Sequence, residues 1–358
     1  MAKYWKWMLI VAAALLAALP VLAQDDGMAT VNLGGSDELG AFLVGANGMT
    51  LYVFAKDEPG ASSCVDQCAA NWPPLTVAEG ERPTLAAGIP GMLGVIARPD
   101  GTSQVTFNGM PLYFWVNDAQ PGDTTGHNFN EVWFVAKPAT VSLGGSAELG
   151  NFLVGANGMT LYMFTRDEAG ASSCVDQCAA NWPPLTAAEG ETPTLQPGLA
   201  GELTTFARAD GSLQVAYNGM PLYFWVNDAQ PGDATGQNFN EVWFVVQPPT
   251  LAISSSDDLG DFLVGPNGMT LYVFANDEPG VSSCVDQCAA NWPPLTVGTN
   301  QQPTVGDGVN GEVGTIERAD GSLQVTYNGM PLYYWINDVV PGDTTGHNFR
   351  EVWFVAAP

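Results

Sequence analysis

Basic residues are scarce in this chain. Its 358 residues include only ten Lys and Arg against 37 Asp and Glu, a formal net charge of −27. Nucleic acids and anionic lipids are bound through Lys and Arg, so this balance argues against both as partners. The acidic surface suits cation binding or simply solubility. Because 46% of the residues are hydrophobic and only 13% are charged, the chain is too apolar for a disordered acidic tail and should fold.

Catalytic motifs are also missing. The sequence contains no Gly-x-Ser-x-Gly elbow, no His-Glu-x-x-His helix and no phosphate-binding loop. It has two histidines, His127 and His347, and the matching position between them is Gln237. This position therefore cannot supply a catalytic base that all parts of the chain share. No set of side chains meets the requirements for nucleophile, base and charge stabiliser, so we expect no enzymatic activity.

The long apolar run lies at the N-terminus. Lys3 and Lys6 precede an uncharged stretch over residues 8–19, and small residues up to Ala23 lead into a polar segment. This order is typical of a secretory signal peptide cleaved near Ala23, with an uncleaved anchor as the alternative. The run is shorter than the roughly 20 residues of a membrane span. No cysteine lies near the cleavage site for lipid attachment, so residues 1–23 predict a secreted or cell-envelope protein without a membrane span.

The rest of the chain repeats itself every 110 residues. The segment 62–75 recurs unchanged from Ser172 and from Ser282. The repeat divides the chain into three tandem units at 30–139, 140–249 and 250–358, each large enough to bury a core of its own. A weaker duplication lies inside each unit, where the pattern that starts at Asn47 returns at Asn108. Each unit is therefore expected to contain two related β modules packed together.

Turn residues separate short apolar and β-branched runs throughout each unit. Asn47-Gly48, Asp100-Gly101 and Asn108-Gly109 are hairpin dipeptides, for which type I′ turns are predicted. The flanking runs predict strands over 42–44, 51–54, 105–107, 112–116 and 132–135. Residues 63–71 predict one or two helical turns that end at Trp72. The predicted fold is mainly β, with three tandem domains of about 110 residues, each a small twisted sheet or sandwich of hairpins with one short disulfide-bearing helix; the alternative is a single six-bladed propeller.

The six cysteines occur as one Cys-x-x-x-Cys pair in each unit. One helical turn brings the two Cα atoms to roughly 6 Å, which a disulfide can span, and the exported setting is oxidising. The sequence therefore predicts the local disulfides Cys64–Cys68, Cys174–Cys178 and Cys284–Cys288. No histidine lies nearby to complete a zinc site. A soft copper site that adds Met49 or Met110 to the cysteines is the alternative.

Carboxylates and aromatics recur at fixed positions. Asp57, Glu58, Asp66, Asp118, Asp123 and Glu131 fall in predicted loops. They could chelate calcium, although their spacing does not match a known calcium loop and turn capping is the simpler role. The nine tryptophans that follow the signal peptide occupy three positions per unit, and core packing is the expected role of such aromatics. We therefore expect no cofactor, with calcium and copper as the alternatives.

One motif, Tyr-x-aromatic-x-x-Asp, occurs six times. Its members are Tyr52/Phe54/Asp57, Tyr113/Trp115/Asp118, Tyr162/Phe164/Asp167, Tyr223/Trp225/Asp228, Tyr272/Phe274/Asp277 and Tyr333/Trp335/Asp338. Together with Cys-x-x-x-Cys-Ala and Trp-Pro-Pro-Leu, the chain resembles the bacterial secreted repeat of unknown function, also described as predicted lipoproteins with this motif. The resemblance implies an extracellular or envelope protein and supplies no activity. The missing lipid-attachment cysteine favours free secretion.

Three near-identical units suit multivalent binding, because linked sites raise avidity without new contacts. The leading hypothesis is a non-catalytic binding or structural module of the cell envelope, with an extracellular ligand or envelope component as its partner. The motif residues are its structural or binding candidates. The alternatives are a copper-handling or electron-transfer protein and a calcium-stabilised adhesion module.

Overall fold

The computed structural model describes residues 29–36 and 38–358. The predicted signal peptide therefore lies outside the described residues. Within the described part of the chain, no helix combines the length and the apolar character of a membrane span.

Each unit contributes eight strands and one short helix. The first unit contains β1 (Val31–Ser36), β2 (Gly40–Gly45), β3 (Tyr52–Phe54), α1 (Gln67–Asn71), β4 (Thr76–Val77), β5 (Leu93–Ala97), β6 (Ser103–Phe107), β7 (Met110–Pro111) and β8 (Trp133–Val135). The second contains β9 (Val141–Ser146), β10 (Gly150–Gly155), β11 (Tyr162–Phe164), α2 (Gln177–Asn181), β12 (Thr186–Ala187), β13 (Leu203–Ala207), β14 (Leu213–Tyr217), β15 (Met220–Pro221) and β16 (Trp243–Val245). The third contains β17 (Ala252–Ser256), β18 (Gly260–Val264), β19 (Tyr272–Phe274), α3 (Gln287–Asn291), β20 (Thr296–Val297), β21 (Val313–Glu317), β22 (Leu323–Tyr327), β23 (Met330–Pro331) and β24 (Trp353–Val355).

Three small antiparallel sheets form in every unit. In the first, β1 pairs with β2, β3 pairs with β8, and β4-β6-β5 form a sheet to which β7 adds through β6. The other two units repeat this arrangement. The predicted fold of three mainly β units with one short disulfide-bearing helix each is confirmed. The six-bladed propeller is wrong, because the sheets of the described residues close into neither a propeller nor a barrel.

One of the three predicted hairpin turns has the backbone of a type I′ turn. Asn108 and Gly109 both have positive φ, at 48° and 83°, as that turn requires. At the other two dipeptides only Gly48 and Gly101 have positive φ. These two turns are therefore of another type.

The predicted strand over 112–116 is wrong. Tyr113 makes only isolated bridges, to Tyr52 and to Pro74, and Phe114 donates its backbone N–H to the carbonyl of Pro73. A longer ladder is impossible on that side because prolines have no N–H to donate. Residues 112–116 therefore have side chains that suit a strand but no partner strand to pair with.

The motif tryptophan of every second half likewise lies outside a strand. Trp115, Trp225 and Trp335 stand at the same place in the repeat, and all three lie outside the strands of the structure. In the second and third units the segment before each tryptophan is again held by isolated bridges, from Tyr223 to Pro184 and from Tyr333 to Pro294. These tryptophans are therefore positioned by packing and by loop hydrogen bonds rather than by a β ladder.

Strand β1 was missed because its sequence, Val-Asn-Leu-Gly-Gly-Ser, contains two glycines. Those glycines are required by packing. A Cβ on Gly34 would lie 2.6 Å from Cγ1 of Val44 on the paired strand β2. The residues that look like a turn signal therefore make room for a core side chain.

The two halves of each unit exchange strands. Strand β4 ends the first half and pairs with β6 of the second half, while β8 ends the second half and pairs with β3 of the first. The exchange is reciprocal at the level of single bonds, since Leu43 N–H bonds to Ala136 O at 2.7 Å and Val105 N–H bonds to Leu75 O at 2.8 Å. Two of the three sheets of each unit therefore combine strands from both halves.

Each unit buries two apolar clusters of its own. One is largely aliphatic and in the first unit includes Leu43, Leu51 and Leu112. The other is largely aromatic and surrounds Trp72. The same two clusters recur in the second and third units.

The units also touch one another through loops. Thr299 N–H of the third unit bonds to Ala147 O of the second at 3.3 Å, and a Cβ on Gly298 would lie 2.3 Å from the backbone nitrogen of Gly150. A Cβ on Gly94 of the first unit would lie 2.5 Å from Cγ1 of Val339 in the third. The third unit therefore contacts both of the others.

Candidate functional site

The tyrosines and aspartates of the repeated motif form reciprocal hydrogen bonds between the two halves of a unit. Tyr52 Oη donates to Asp118 Oδ2 at 2.7 Å, and Tyr113 Oη donates to Asp57 Oδ2 at 2.6 Å. The same exchange holds in the other units: Tyr162 with Asp228, Tyr223 with Asp167, Tyr272 with Asp338 and Tyr333 with Asp277. The motif thus joins each half to the opposite half.

The motif carboxylates have no free oxygen to offer a ligand. Asp57 Oδ1 accepts from both the N–H and the hydroxyl of Ser63, each at 2.7 Å. Asp118 Oδ1 accepts from the N–H and the hydroxyl of Thr125 at 3.0 and 2.6 Å. Both carboxyl groups are buried, and a buried carboxylate needs these partners to offset its desolvation.

Burial raises the pKa of the Tyr52 hydroxyl far above its ordinary value, and the hydrogen bond to Asp118 raises it further. Burial and the bond to Asp57 raise the pKa of Tyr113 in the same way. Both phenols therefore stay protonated at neutral pH and act as donors to the aspartates.

Removing one of these bonds should weaken the unit measurably. Tyr52→Phe takes away the donor to the buried Asp118, and we expect it to lower the free energy of unfolding of the first unit by about 1–3 kcal/mol. Tyr113→Phe should do the same through Asp57. Guanidinium denaturation of both variants and of the double variant would measure this, and coupling between the two sites is expected because they share one interface. A cost near zero would contradict the role assigned to the motif.

Five aromatic rings form a row beside these pairs. Trp72 lies between Trp133, at 3.9 Å between ring centroids, and Trp115, at 4.0 Å. Phe54 covers the far face of Trp133 at 4.3 Å, and Phe129 leans on Trp115 at 5.0 Å. The three tryptophans of the first unit are at most 9% exposed, so their aromatic surface is used in the core.

The rows of the other two units have the same order. Trp225 stacks on Trp182, and Trp335 stacks on Trp292, each pair at 4.1 Å between ring centroids. Trp225 is buried, whereas Trp335 is half-buried. Both rings are used in internal stacking, and neither lines a surface groove described below.

All three predicted disulfides are present, with 5.2 Å between the Cα atoms of each pair. Cys64 is fully buried beneath the aromatic row. The described residues contain no free cysteine. Because a soft metal needs thiolates, the copper alternative draws no support from these cysteines in their oxidised form.

The two histidines act as hydrogen-bond acceptors. Nδ1 of His127 accepts the backbone N–H of Val135 at 3.3 Å. Burial lowers the pKa of this histidine, and the positive charge of Lys137 lowers it further. In the second unit Oε1 of Gln237 accepts the equivalent N–H of Val245 at 2.8 Å. An amide oxygen can replace a neutral imidazole here because only an acceptor is needed.

Loop carboxylates are used as turn caps. Asp123 Oδ2 accepts the N–H groups of Ala119 and Gln120 at 2.9 and 3.1 Å, and Asp100 Oδ1 accepts the N–H of Thr102 at 3.0 Å. In the described part of the chain, no three His, Cys, Asp or Glu side chains come together to hold a metal ion. The calcium alternative draws no support from this arrangement.

Asp338 of the third unit is buried beside the contact with the first unit. Its neighbours Val339 and Val340 pack towards Gly94 and Gly109 of the first unit. Burial raises the pKa of its carboxyl to about 6, against the lowering effect of its hydrogen bonds. A raised carboxyl pKa means that the folded protein binds this proton more tightly than the unfolded chain does.

The third unit should therefore lose stability as the pH rises from about 4 to about 6, and the loss should level off above that. We expect a decrease of about 1–2 kcal/mol in its free energy of unfolding. The control is Val339→Ala combined with Val340→Gln, which installs the residues of the first unit and should flatten the dependence. Guanidinium midpoints at pH 4.5 and 7 measure both proteins, and an equal slope in the two would contradict this origin.

A groove recurs at the same place in the second and third units, with volumes of about 470 and 370 Å³. In the second unit it is lined by Gly170, Ala171, Ser172, Val175, Asp176, Ala179, Phe206, Ala207, Arg208, Ala209 and Asp210. The eleven lining residues of the third unit, from Gly280 to Asp320, are their counterparts 110 positions later. One wall is the segment that carries the disulfide, and the other is the end of β13 or β21 with the turn that follows.

An arginine forms part of the lining of each groove. Nη1 of Arg208 donates to Ser172 and Gln214, and Nη2 donates to the carbonyl of Cys174. Its side chain is only 5% exposed, and its Nε has no hydrogen-bond partner; Asp210 Oδ2 lies 3.9 Å away. The equivalent Arg98 also has an unpartnered Nε.

This groove was not predicted from the sequence, although one signal was present. Arg98, Arg208 and Arg318 occupy the one basic position that all three units share among ten basic residues. The predicted motif residues, in contrast, are brought together inside each unit, in the tyrosine–aspartate hydrogen bonds and the aromatic row. They lie outside the lining of the groove.

The family described as "secreted repeat of unknown function" matches the chain six times, at residues 35–76, 94–137, 145–186, 204–247, 254–296 and 314–357. The chain belongs to this family. The six matches are the six half-units, two for each unit, as the internal duplication predicted. No curated protein and no solved structure gives a significant match.

Proposed function

We propose that this chain is a non-catalytic, multivalent binding module that acts outside the cytoplasm. The observation that carries the proposal is the groove that recurs at equivalent positions in the second and third units. The first unit has the matching Val65, Asp66, Arg98 and Asp100. Linked sites raise the overall affinity by avidity, so each site can be weak.

The absence of catalysis is supported by the use of the polar groups in the motif. Tyr52 and Tyr113 donate to aspartates, and both aspartates accept further bonds from Ser63 and Thr125. A nucleophile or general base needs a reactive atom that is free to meet a substrate. The motif offers none, whereas the grooves lie at the surface and can meet a partner.

The exposed valines in the grooves provide the test. Val175 is 49% exposed and Val285 is 51% exposed, so glutamate at these positions should block the groove without disturbing the core. The exported protein and its Val65→Glu, Val175→Glu and Val285→Glu variants, alone and combined, are sedimented with cell-envelope material of the bacterium that encodes it. Single variants should bind a few-fold more weakly, and the triple variant should lose binding by more than ten-fold.

The matched control is Val226→Glu, which changes a valine that is 52% exposed and lies outside both grooves. It should bind like the unchanged protein. The proposal would be overturned if the triple variant sedimented with the envelope material as fully as the control, or if the unchanged protein did not sediment with it.

A further inference from the structure

The contact between the first and second units is repeated between the second and third. A Cβ added to Gly88 would lie 2.7 Å from Cγ of Pro231, and one added to Gly198 would lie 2.5 Å from Cγ of Pro341. Gly198 and Pro341 are the counterparts of Gly88 and Pro231, 110 positions later. The same loop of one unit therefore meets the same turn of the next unit at both joints.

A second turn belongs to this contact. Cβ atoms added to Gly158 and Gly268 would collide with the backbone of Gly88 and Gly198, respectively. We call the loop that approaches the next unit the loop face, which consists of residues 88–91 and their counterparts 198–201 and 308–311. The surface that receives it is the turn face, which consists of Leu33, the turn at 46–48, Pro121 and the counterparts of these residues.

The contact is directional, because the loop face of one unit meets the different turn face of the next. Among the described residues, a Cβ added to Gly308 would meet only Ile253 of its own unit, and one added to Gly48 would meet only Pro121 of its own unit. The third unit touches the first through other residues, so the three units do not close a ring through this contact. A directional contact that does not close generates an open array.

The turn face of the first unit is less covered than its counterparts. Leu33 is 41% exposed, whereas Leu143 is half-buried and lines a cleft against the loop face of the first unit. Gly48 is half-buried, whereas Gly158 and Gly268 are buried. The first unit therefore lacks on this face the cover that the other two receive from the unit before them.

The loop face of the third unit keeps the backbone of its counterparts. Gly308 has a φ of 84°, and Gly88 and Gly198 have φ values of 85° and 81°. The next residue, Val309, is 8% exposed, as is Ile89. This loop can therefore present the same surface to a turn face as the loops of the first two units do.

Two polar residues distinguish the loop of the third unit. Asn310 is exposed and replaces Pro90, which is buried at the first joint. Asp307 replaces Ala87, which stays exposed at that joint, so a carboxylate at this position remains in water. The polar Asn310 makes a further contact of this kind weaker than the internal ones, because an amide is buried at a higher cost than a proline ring.

A second contact fits the same continuation. A Cβ added to Gly94 of the first unit would lie 2.5 Å from Cγ1 of Val339 in the third, so a position without a side chain opposes a larger residue. In a continued array, the first unit of a second copy would stand in this relation to the second unit of the first copy. There the exposed Thr204 would oppose Ala119. The larger side chain has changed sides, and both pairs fit.

We propose that the loop face of the third unit binds the turn face of the first unit in a second copy of the chain, so that the exported protein assembles head to tail. Each added copy continues the contact already made twice inside the chain. This assembly goes beyond binding in the grooves and does not depend on it. Because each copy carries a formal charge of −27, the copies repel one another unless salt screens them.

Sedimentation velocity of the full exported chain tests the assembly, at protein concentrations up to about 1 mM, the dissociation constant of a weak contact. At about 0.15 M NaCl the average mass should rise with concentration past that of a dimer, because every added copy leaves one loop face and one turn face free. At about 0.01 M NaCl the association should be weaker. A mass that stays at one chain, or that levels off at a dimer, would overturn the proposal.

Two glutamate variants block the two faces separately. Leu33→Glu places a charge on the turn face, Asn310→Glu places one on the loop face, and each should weaken self-association about ten-fold or more. Asn310→Pro installs the residue of the first unit and should strengthen self-association about three-fold. The matched control is Val226→Glu, which changes a valine that is 52% exposed and lies outside both faces. It should associate like the unchanged protein.

A mixture of the two blocked variants distinguishes head-to-tail binding from other association. Leu33→Glu keeps its loop face and Asn310→Glu keeps its turn face, so the mixture should form a one-to-one dimer and nothing larger, while each variant alone stays monomeric. Thermal melts followed by circular dichroism check folding, and Ala46→Glu, at an exposed position of the turn face, replaces Leu33→Glu if that variant melts early. The absence of a mixed dimer, or an equal loss of association in Val226→Glu, would show that these faces do not bind each other.

Discussion

A fragment of residues 30–92, which contains the first half of a unit, should be unfolded in isolation, whereas residues 30–139 should fold cooperatively. The half lacks β6, the partner of its strand β4, and β8, the partner of its strand β3. It also lacks Asp118, to which Tyr52 donates. Far-ultraviolet circular dichroism and the dispersion of amide NMR signals measure both fragments.

The reconstitution experiment is a control for this prediction. An equimolar mixture of residues 30–92 and 93–139 should regain part of the signal of the intact unit, because the two chains can still exchange their strands. The same experiment on residues 140–249 should give the same result. A folded 30–92 fragment would contradict this prediction and show that the exchange of strands is not needed for folding.

Trp72→Ala should unfold the first unit at a temperature where the other two remain folded. Trp72 is 3% exposed and lies between Trp115 and Trp133, so its truncation opens a large cavity. We expect a cost of about 3–5 kcal/mol, a large part of the stability of a domain of this size. Differential scanning calorimetry should show an early transition that is absent from the unchanged protein.

The control is Val116→Ala, which truncates a side chain that is 51% exposed in the same unit and should leave the calorimetric trace unchanged.

The stacked indoles also predict an exciton signal in circular dichroism, and Trp72→Ala should remove about a third of it because one of three equivalent rows is lost. A loss of the whole signal, or of none, would contradict three equivalent rows.

The sequence allowed the repeat, the disulfides and the fold class to be predicted, because each follows from local spacing. Strand β1 was missed because Gly34 looks like a turn residue, and only the position of Val44 shows why a glycine stands there. The strand predicted over 112–116 failed for the opposite reason. Its residues suit a strand, but Pro73 and Pro74 on its partner segment cannot continue the ladder.

The groove could not be predicted in the same way, because its two walls come from segments that are far apart in the chain. The sequence shows Asp176 inside a repeated segment and Arg208 at a shared basic position, yet nothing local shows that they face one groove. The reciprocity of the motif was hidden for the same reason. The six tyrosines and six aspartates were visible, but the assignment of Tyr52 to Asp118 rather than to Asp57 depends on the exchange of strands.

The loop contacts between the units have a consequence for the history of the chain. Gly298 replaces Ala78 and Ala188 where a methyl group would collide with the second unit, and Val339 replaces Ala119 and Ala229 where the third unit meets the first. The duplicated copies have diverged at the places where they touch. They are no longer interchangeable: a gene in which their order is shuffled would encode the same three cores without the fit between them, and would lose the fixed spacing of its grooves.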